Sequence, residues 1–143
     1  FAMAEALMGA APEALPDAQV VFGVIMGTGV GGGWVVHGQV LNGRQGIAGE
    51  WGHNFLDASG GPCYCGRTGC VETVLSGPAL ERFYQRHSGQ HRSLRDIAAR
   101  AQSGDDPTAT ATMERLVHFF GKASSTSWIR MWSSLAAGWA ILT

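Results

Sequence analysis

Apolar positions along the chain follow two periods in turn. From Gln19 to Met26 (Gln-Val-Val-Phe-Gly-Val-Ile-Met) a β-branched apolar run of strand length reads as a buried strand. Trp34 to Gly38 resumes strand character, and Gln39 to Gly43 reads as the far side of a hairpin. Beyond Ser76 the period becomes helical. Leu80, Phe83 and Tyr84 predict a helix over Ala79 to Arg86, with Ser76 as its cap. Leu94, Ile97, Ala98 and Ala101 predict a second helix over Ser93 to Ala101. A third begins after Asp105-Asp106-Pro107, with Met113, Leu116, Val117 and Phe120 turned inward. Phe1 to Met8 is also built of helix formers, and Gly9, Pro12 and Pro16 end that segment.

Composition narrows the function classes. A chain of 143 residues suffices for one domain with a core but is small for an enzyme holding two substrates. Ten Lys and Arg against eleven Asp and Glu give no electrostatic reason for nucleic acid as a partner. No apolar run approaches the roughly 18 residues of a membrane span, and no signal-peptide pattern opens the chain. The three Cys form one cluster, an odd count that suits metal ligation in a reducing, cytoplasmic compartment better than a disulfide framework.

That cluster is the chemical centre of the sequence. Gly49-Glu50-Trp51-Gly52-His53 is followed by Cys63-Tyr64-Cys65-Gly66-Arg67-Thr68-Gly69-Cys70-Val71-Glu72. Three thiolates and one imidazole satisfy tetrahedral zinc, so His53, Cys63, Cys65 and Cys70 predict a closed, structural Zn2+ site without an open position for water. Metal binding would supply folding energy to a loop with few apolar residues. Glu50 and Glu72 flank this loop, so a metal that pins the loop also pins their carboxylates, each of which can accept two hydrogen bonds. The second nitrogen of a ligating His53 can add another. His37, His87, His91 and His118 have no ligand-spaced partner and are expected at the surface or satisfied. Asp17 and Asp57 read as turn residues.

Gly27-Thr28-Gly29-Val30-Gly31-Gly32-Gly33 lies between the first two strands. Backbone N–H groups at such a tip, with the Thr28 hydroxyl, can meet phosphate oxygens. No Gly-Lys-Ser/Thr follows, so it is not a Walker A loop, and on spacing alone a Gly-rich tip is more often just a turn.

The tail from about Ser124 differs in composition and holds Trp128, Trp132 and Trp139. One reading is an amphipathic tail helix that docks its Trp side chains. Another follows from the genetic code, because Trp and Met each have a single codon. Reading each codon's last base with the next codon's first two gives Asp at Trp128-Ile129, Val at Met131-Trp132 and Gly at Trp139-Ala140. With G/C-rich third bases the line becomes Asn-Val-Leu-Asp-Pro-Asp-Val-Val-Val-x-Gly-Gly-Gly-Val-Gly. This has the period of a core strand entering a Gly-rich turn, so residues 124–143 are expected to be a frame-shifted reading of a nucleotide-binding strand.

Gly-Thr-Gly-Val-Gly-Gly-Gly, then Ala-Gly-Glu-Trp-Gly-His, then Cys-Tyr-Cys-Gly-Arg-Thr-Gly-Cys-Val-Glu-Thr resembles the ROK family of sugar kinases and sugar-responsive repressors, most closely its bacterial fructokinase and N-acetylglucosamine kinase branches. The resemblance covers residues 1–123 and implies an α/β, actin-like (ribonuclease H-like) fold. Most of the chain would belong to the large C-terminal domain, with the zinc-binding loop at 50–72. It implies ATP-dependent, Mg2+-assisted phosphorylation of a hexose. Glu50, His53 and Glu72 would contact the sugar, and Gly27, Thr28 and Gly29 would approach the ATP phosphates. The family's catalytic Asp would precede Phe1, so these residues alone are expected to be inactive. The family also often forms homodimers. A sugar-sensing repressor of the same family is the alternative, and only that reading would bring in nucleic acid. Upstream coding sequence separates the two: an Asn-Asp pair with a phosphate loop argues for kinase, a helix-turn-helix for repressor.

Overall fold

A computed structural model of the chain describes residues 19–124 and the backbone of a strand at Trp139–Leu142. The expected helix at Phe1 to Met8 and, apart from that strand, the whole tail lie outside the described residues. The chain divides into two compact units. One contains Val30–Gly52 with most of the first strand and the last one; the other contains Met26–Gly29 and His53–Ser125.

The first unit is built on a sheet ordered β3-β2-β1-β4, with β1 at Val20–Met26, β2 at Val30–Val36, β3 at Gln39–Val40 and β4 at Trp139–Leu142. Strand β2 begins at Val30, earlier than the apolar pattern indicates, because Gly31 to Gly33 carry no side chains to mark the period. Strand β3 ends at Val40, short of Gly43, and pairs antiparallel with β2 through Val35 and Val36. Strand β4 runs parallel to β1, from Val20 opposite Trp139 to Gly23 opposite Leu142. Phe22, Trp34 and Trp51 form the aromatic centre of this unit, with ring centroids 4.3 Å apart for Phe22–Trp34 and 5.9 Å for Phe22–Trp51. Trp51 is 2% exposed and still satisfies its indole, donating to the Gly31 carbonyl at 2.8 Å.

The second unit stacks helices beside the cysteine loop. Helix α1 (Val71–Leu75) leads into α2 (Gly77–Ser88), then α3 (Leu94–Ser103) and α4 (Pro107–Ser124). Their starts follow the sequence signals. The Ser76 and Ser93 hydroxyls accept the Ala79 and Asp96 N–H groups, and Asp106 accepts from Ala109 with Pro107 in the first turn. Tyr84, Ile97 and Ala109 form one buried cluster with Ala101 against it, and the Tyr84 hydroxyl donates to Asp106 at 2.7 Å.

Helix α4 is rotated from the phase its large apolar residues suggest. Ala109, Thr112 and Ala123 are its buried positions, whereas Val117 is 71% exposed and Met113, Leu116 and Phe120 are only partly covered. Small side chains let a helix approach its neighbours closely, so the inward stripe falls on alanine and threonine. Thr112 is buried because its hydroxyl donates to the Thr108 carbonyl at 2.7 Å. Among the described residues no helix is long and apolar enough to cross a membrane.

Candidate metal and ligand site

The cysteine loop is tied by backbone pairing before any side chain converges. Phe55 bridges Cys70, Pro62 bridges Thr68, and the Cys63 and Arg67 backbones close a tight turn at 2.7 Å. Gly69 is required at the crossing. Its φ is +73°, and a Cβ there would lie 2.5 Å from the Asp57 carbonyl oxygen. The Gly69 carbonyl in turn accepts the Leu56 N–H at 2.7 Å. Arg67 donates to the His53 carbonyl at 3.1 Å and fixes the turn that carries the imidazole.

The result brings all four sequence-predicted ligands together. One donor atom each from His53, Cys63, Cys65 and Cys70 lie within 4.8 Å of one another. Cys63 Sγ is 3.6 Å from His53 Nδ1, and Cys65 Sγ is 3.6 Å from Cys70 Sγ. Tetrahedral zinc bonds of about 2.3 Å to sulfur and about 2.0–2.1 Å to nitrogen place neighbouring donors roughly 3.5–3.8 Å apart. These separations fit that geometry, and the three thiols are free of disulfides.

Burial, first, and then the neighbouring thiols push Cys70 up to about 12, while the Arg67 backbone N–H draws Cys65 below the usual thiol value. A coordinated cation would reverse the Cys70 preference, since ligating thiols are deprotonated. His53 turns its other nitrogen, Nε2, to the Tyr64 hydroxyl at 2.9 Å, with the rings edge to face. The nitrogen that sequence reasoning offers to a sugar therefore already holds a hydroxyl. Tyr64 carries it on a side chain 83% exposed. Nothing in the spacing of the motif marks Tyr64, because hydrogen bonding across the loop depends on the fold.

Glu72 follows Cys70 into the first turn of α1. Its carboxylate is seated against the Gly27-Thr28-Gly29 turn: a Cβ on Gly29 would lie 2.7 Å from Glu72 Oε2. The Gly27 carbonyl accepts the Gly77 N–H at 2.8 Å, so the turn is also fastened to the start of α2. The two features that the sequence separates by more than forty positions, the glycine turn and Glu72, thus share one wall. Glu50 belongs to the first unit and is exposed there. It borders a cavity of about 200 Å³ with Gly31, Trp34 and Ile47, and its N–H donates to the Ile47 carbonyl at 3.1 Å.

The described aspartates that carry a contact are committed to structure. Asp57 caps the short 3-10 turn Ala58–Gly60 and pairs with Lys122 at 3.5 Å, Asp96 pairs with Arg92 and Arg100, and Asp106 caps α4. Hydrogen bonds from Ser59 hold the Asp57 carboxyl below its ordinary value, and the Tyr84 hydroxyl does so, first, for Asp106.

The protein-family model described as "ROK family" matches residues 1–131. The N-acetyl-D-glucosamine kinase of Vibrio vulnificus (strain YJ016) is 39% identical over 134 residues, covering 85% of this chain and 43% of that protein. A ROK family glucokinase from Streptomyces griseus, solved with glucose and AMPPNP, superposes with a TM-score of 0.70 at 26% identity, covering 87% of this chain and 44% of that one. A ROK family transcriptional regulator, homologue of the E. coli MLC protein, gives 0.68 at 31% identity, covering 81% and 32%. The chain spans less than half the length of each.

Proposed function

The chain belongs to the ROK family and has its actin-like α/β fold, and on that premise we propose that it supplies one wall of a sugar-kinase cleft, in a protein that phosphorylates a hexose with ATP. The observation that carries the reading is the seating of Glu72 against Gly29, next to a loop whose donors suit zinc. A carboxylate for sugar hydroxyls and a glycine turn suited to phosphate oxygens thereby come onto one surface, which phosphoryl transfer from nucleotide to sugar needs.

In this account His53, Cys63, Cys65 and Cys70 hold a structural Zn2+ ion that takes no part in the chemistry. Glu50, His53 and Glu72 bind the sugar, and Gly27, Thr28 and Gly29 approach the ATP phosphates, whose charge Mg2+ shares. Sugar binding requires Tyr64 to release His53 Nε2, which an exposed side chain does at little cost. The proton-accepting Asp is supplied from outside these residues. The name carried by the curated relatives makes N-acetylglucosamine the first sugar to test, ahead of fructose or glucose. Free thiols support a reducing, cytoplasmic setting. Residues 124–143 are a frame-shifted reading of the next strand in the nucleotide site. Sequencing the coding DNA tests this, and an unbroken frame through Thr143 refutes it.

The test of function is a binding titration of the zinc-loaded chain with N-acetylglucosamine, glucose and fructose, repeated with Glu72→Gln. Sugar binding that weakens in the variant supports the reading; binding indifferent to Glu72 overturns it. A sugar-sensing repressor is the second reading, favoured by the likeness to the ROK regulator. It keeps the zinc and sugar ligands, and a helix-turn-helix in the upstream coding sequence would decide for it.

A further inference from the structure

Beside Glu72 the second unit opens into a cavity of about 500 Å³, within the range of roughly 300–1,000 Å³ usual for small-molecule sites. Thr28, Gly60 and Glu72 line one part of it, and Arg82 and Arg86 of α2 line another. The two arginines stand one helical turn apart, a spacing that puts both on one face. Neither forms an ion pair among the described residues. Four other carboxylates of this unit have partners of their own: Asp96 with Arg92 and Arg100, Asp106 with Arg100, Asp57 with Lys122, and Glu81 with the Leu94 N–H at 2.8 Å.

The spacing of the two charges is not one that stabilises the helix. Like charges at this spacing weaken a helix, and although the helix dipole favours Arg86 in the last turn, it does nothing for Arg82 in the middle. The positive charge is also felt locally. Arg115 is held below the ordinary arginine value, by its burial first, with Arg86 adding to the effect and Asp57 opposing it.

We infer that Arg82 and Arg86 form an anion subsite of this cavity, and that its ligand is a hexose carrying a phosphate group. Guanidinium groups present paired N–H donors that match phosphate oxygens, and the two outweigh the single carboxylate of Glu72. Glu72 instead accepts hydroxyl hydrogen bonds, and Thr28 can donate to the anion. A molecule with hydroxyls at one end and an anion at the other satisfies both walls, whereas a neutral hexose satisfies one. This inference rests on the reading of Glu72 as a sugar ligand. The phosphate could also be that of a nucleotide, since Thr28 lies in the turn assigned to ATP.

The experiment titrates the zinc-loaded chain with glucose, glucose 1-phosphate, glucose 6-phosphate and ATP, for wild type, R82Q/R86Q and E72Q. Glutamine keeps helix propensity, and circular dichroism verifies the fold. At least one sugar phosphate is expected to bind wild type about tenfold more tightly than glucose, and R82Q/R86Q is expected to erase that advantage while leaving glucose affinity unchanged. Equal binding of glucose and both phosphates, or an advantage that survives R82Q/R86Q, overturns the subsite. An arginine-dependent preference for ATP over both sugar phosphates overturns the ligand assignment. E72Q reports separately on the premise: it should weaken glucose and sugar phosphates alike, and if it weakens neither, the sugar reading fails while the R82Q/R86Q comparison still decides the anion subsite.

Discussion

Between His53 and Cys70 the buried side chains are Leu56 and two of the ligand cysteines, Cys63 and Cys70, while Phe55 and Tyr64 stand exposed. Between Gly77 and Ser124, Leu80, Tyr84, Ile97, Ala109 and Thr112 are all buried at 2% exposure or less apiece. Both segments belong to the same compact unit. The helices are held by apolar burial and by caps that satisfy their first N–H groups. The loop has glycine turns, a few backbone bridges and four donor atoms with little apolar cover, so on the proposed reading its order depends on what those donors bind. In the proposed account a metal places the ligand-binding wall, next to a scaffold that needs none.

Removing the metal should separate the two regions most sharply. Purified chain is expected to carry about one zinc per molecule, and chelation or Cys65→Ser should abolish sugar binding while helical circular dichroism persists. Full zinc retention by Cys65→Ser would contradict the ligand assignment. Ile97→Ala should do the reverse, lowering unfolding free energy by about 2–5 kcal/mol in denaturant titration with zinc content unchanged.

Gly29→Ala probes the contact between turn and carboxylate. Its Cβ would crowd Glu72 Oε2, so sugar affinity should fall about tenfold, the scale of one hydrogen bond to a charged group, with little change in melting temperature. The smallest effect concerns Asp106. Its folded carboxyl lies below the ordinary value, so its contribution is present above that value and lost as pH falls through the lowered one. The difference in melting temperature between wild type and Asp106→Asn should accordingly shrink as pH drops below about 4.

Much of this was legible in the chain. The spacing of His53, Cys63, Cys65 and Cys70 names a donor set because ligand geometry constrains sequence spacing within a short loop. Ser76, Ser93 and Asp106-Pro107 mark helix starts because capping is local. The phase of α4 was not legible, since close approach favoured Ala109 and Thr112 over the larger Val117. The meeting of Glu72 with Gly29, the Tyr64 hydroxyl on His53 and the cavity beside Arg82 and Arg86 depend on tertiary packing. No periodicity along the chain reports these three contacts.

The central claim is that a metal-held loop positions His53 and Glu72 for a sugar. Titrating the nitrogen-15-labelled chain with N-acetylglucosamine, with zinc and after its removal, tests it most directly by nuclear magnetic resonance. Saturable shifts at the His53 and Glu72 amides in the zinc-loaded protein, absent without the metal, are the expected result. Shifts of equal size and affinity in the metal-free protein would contradict it.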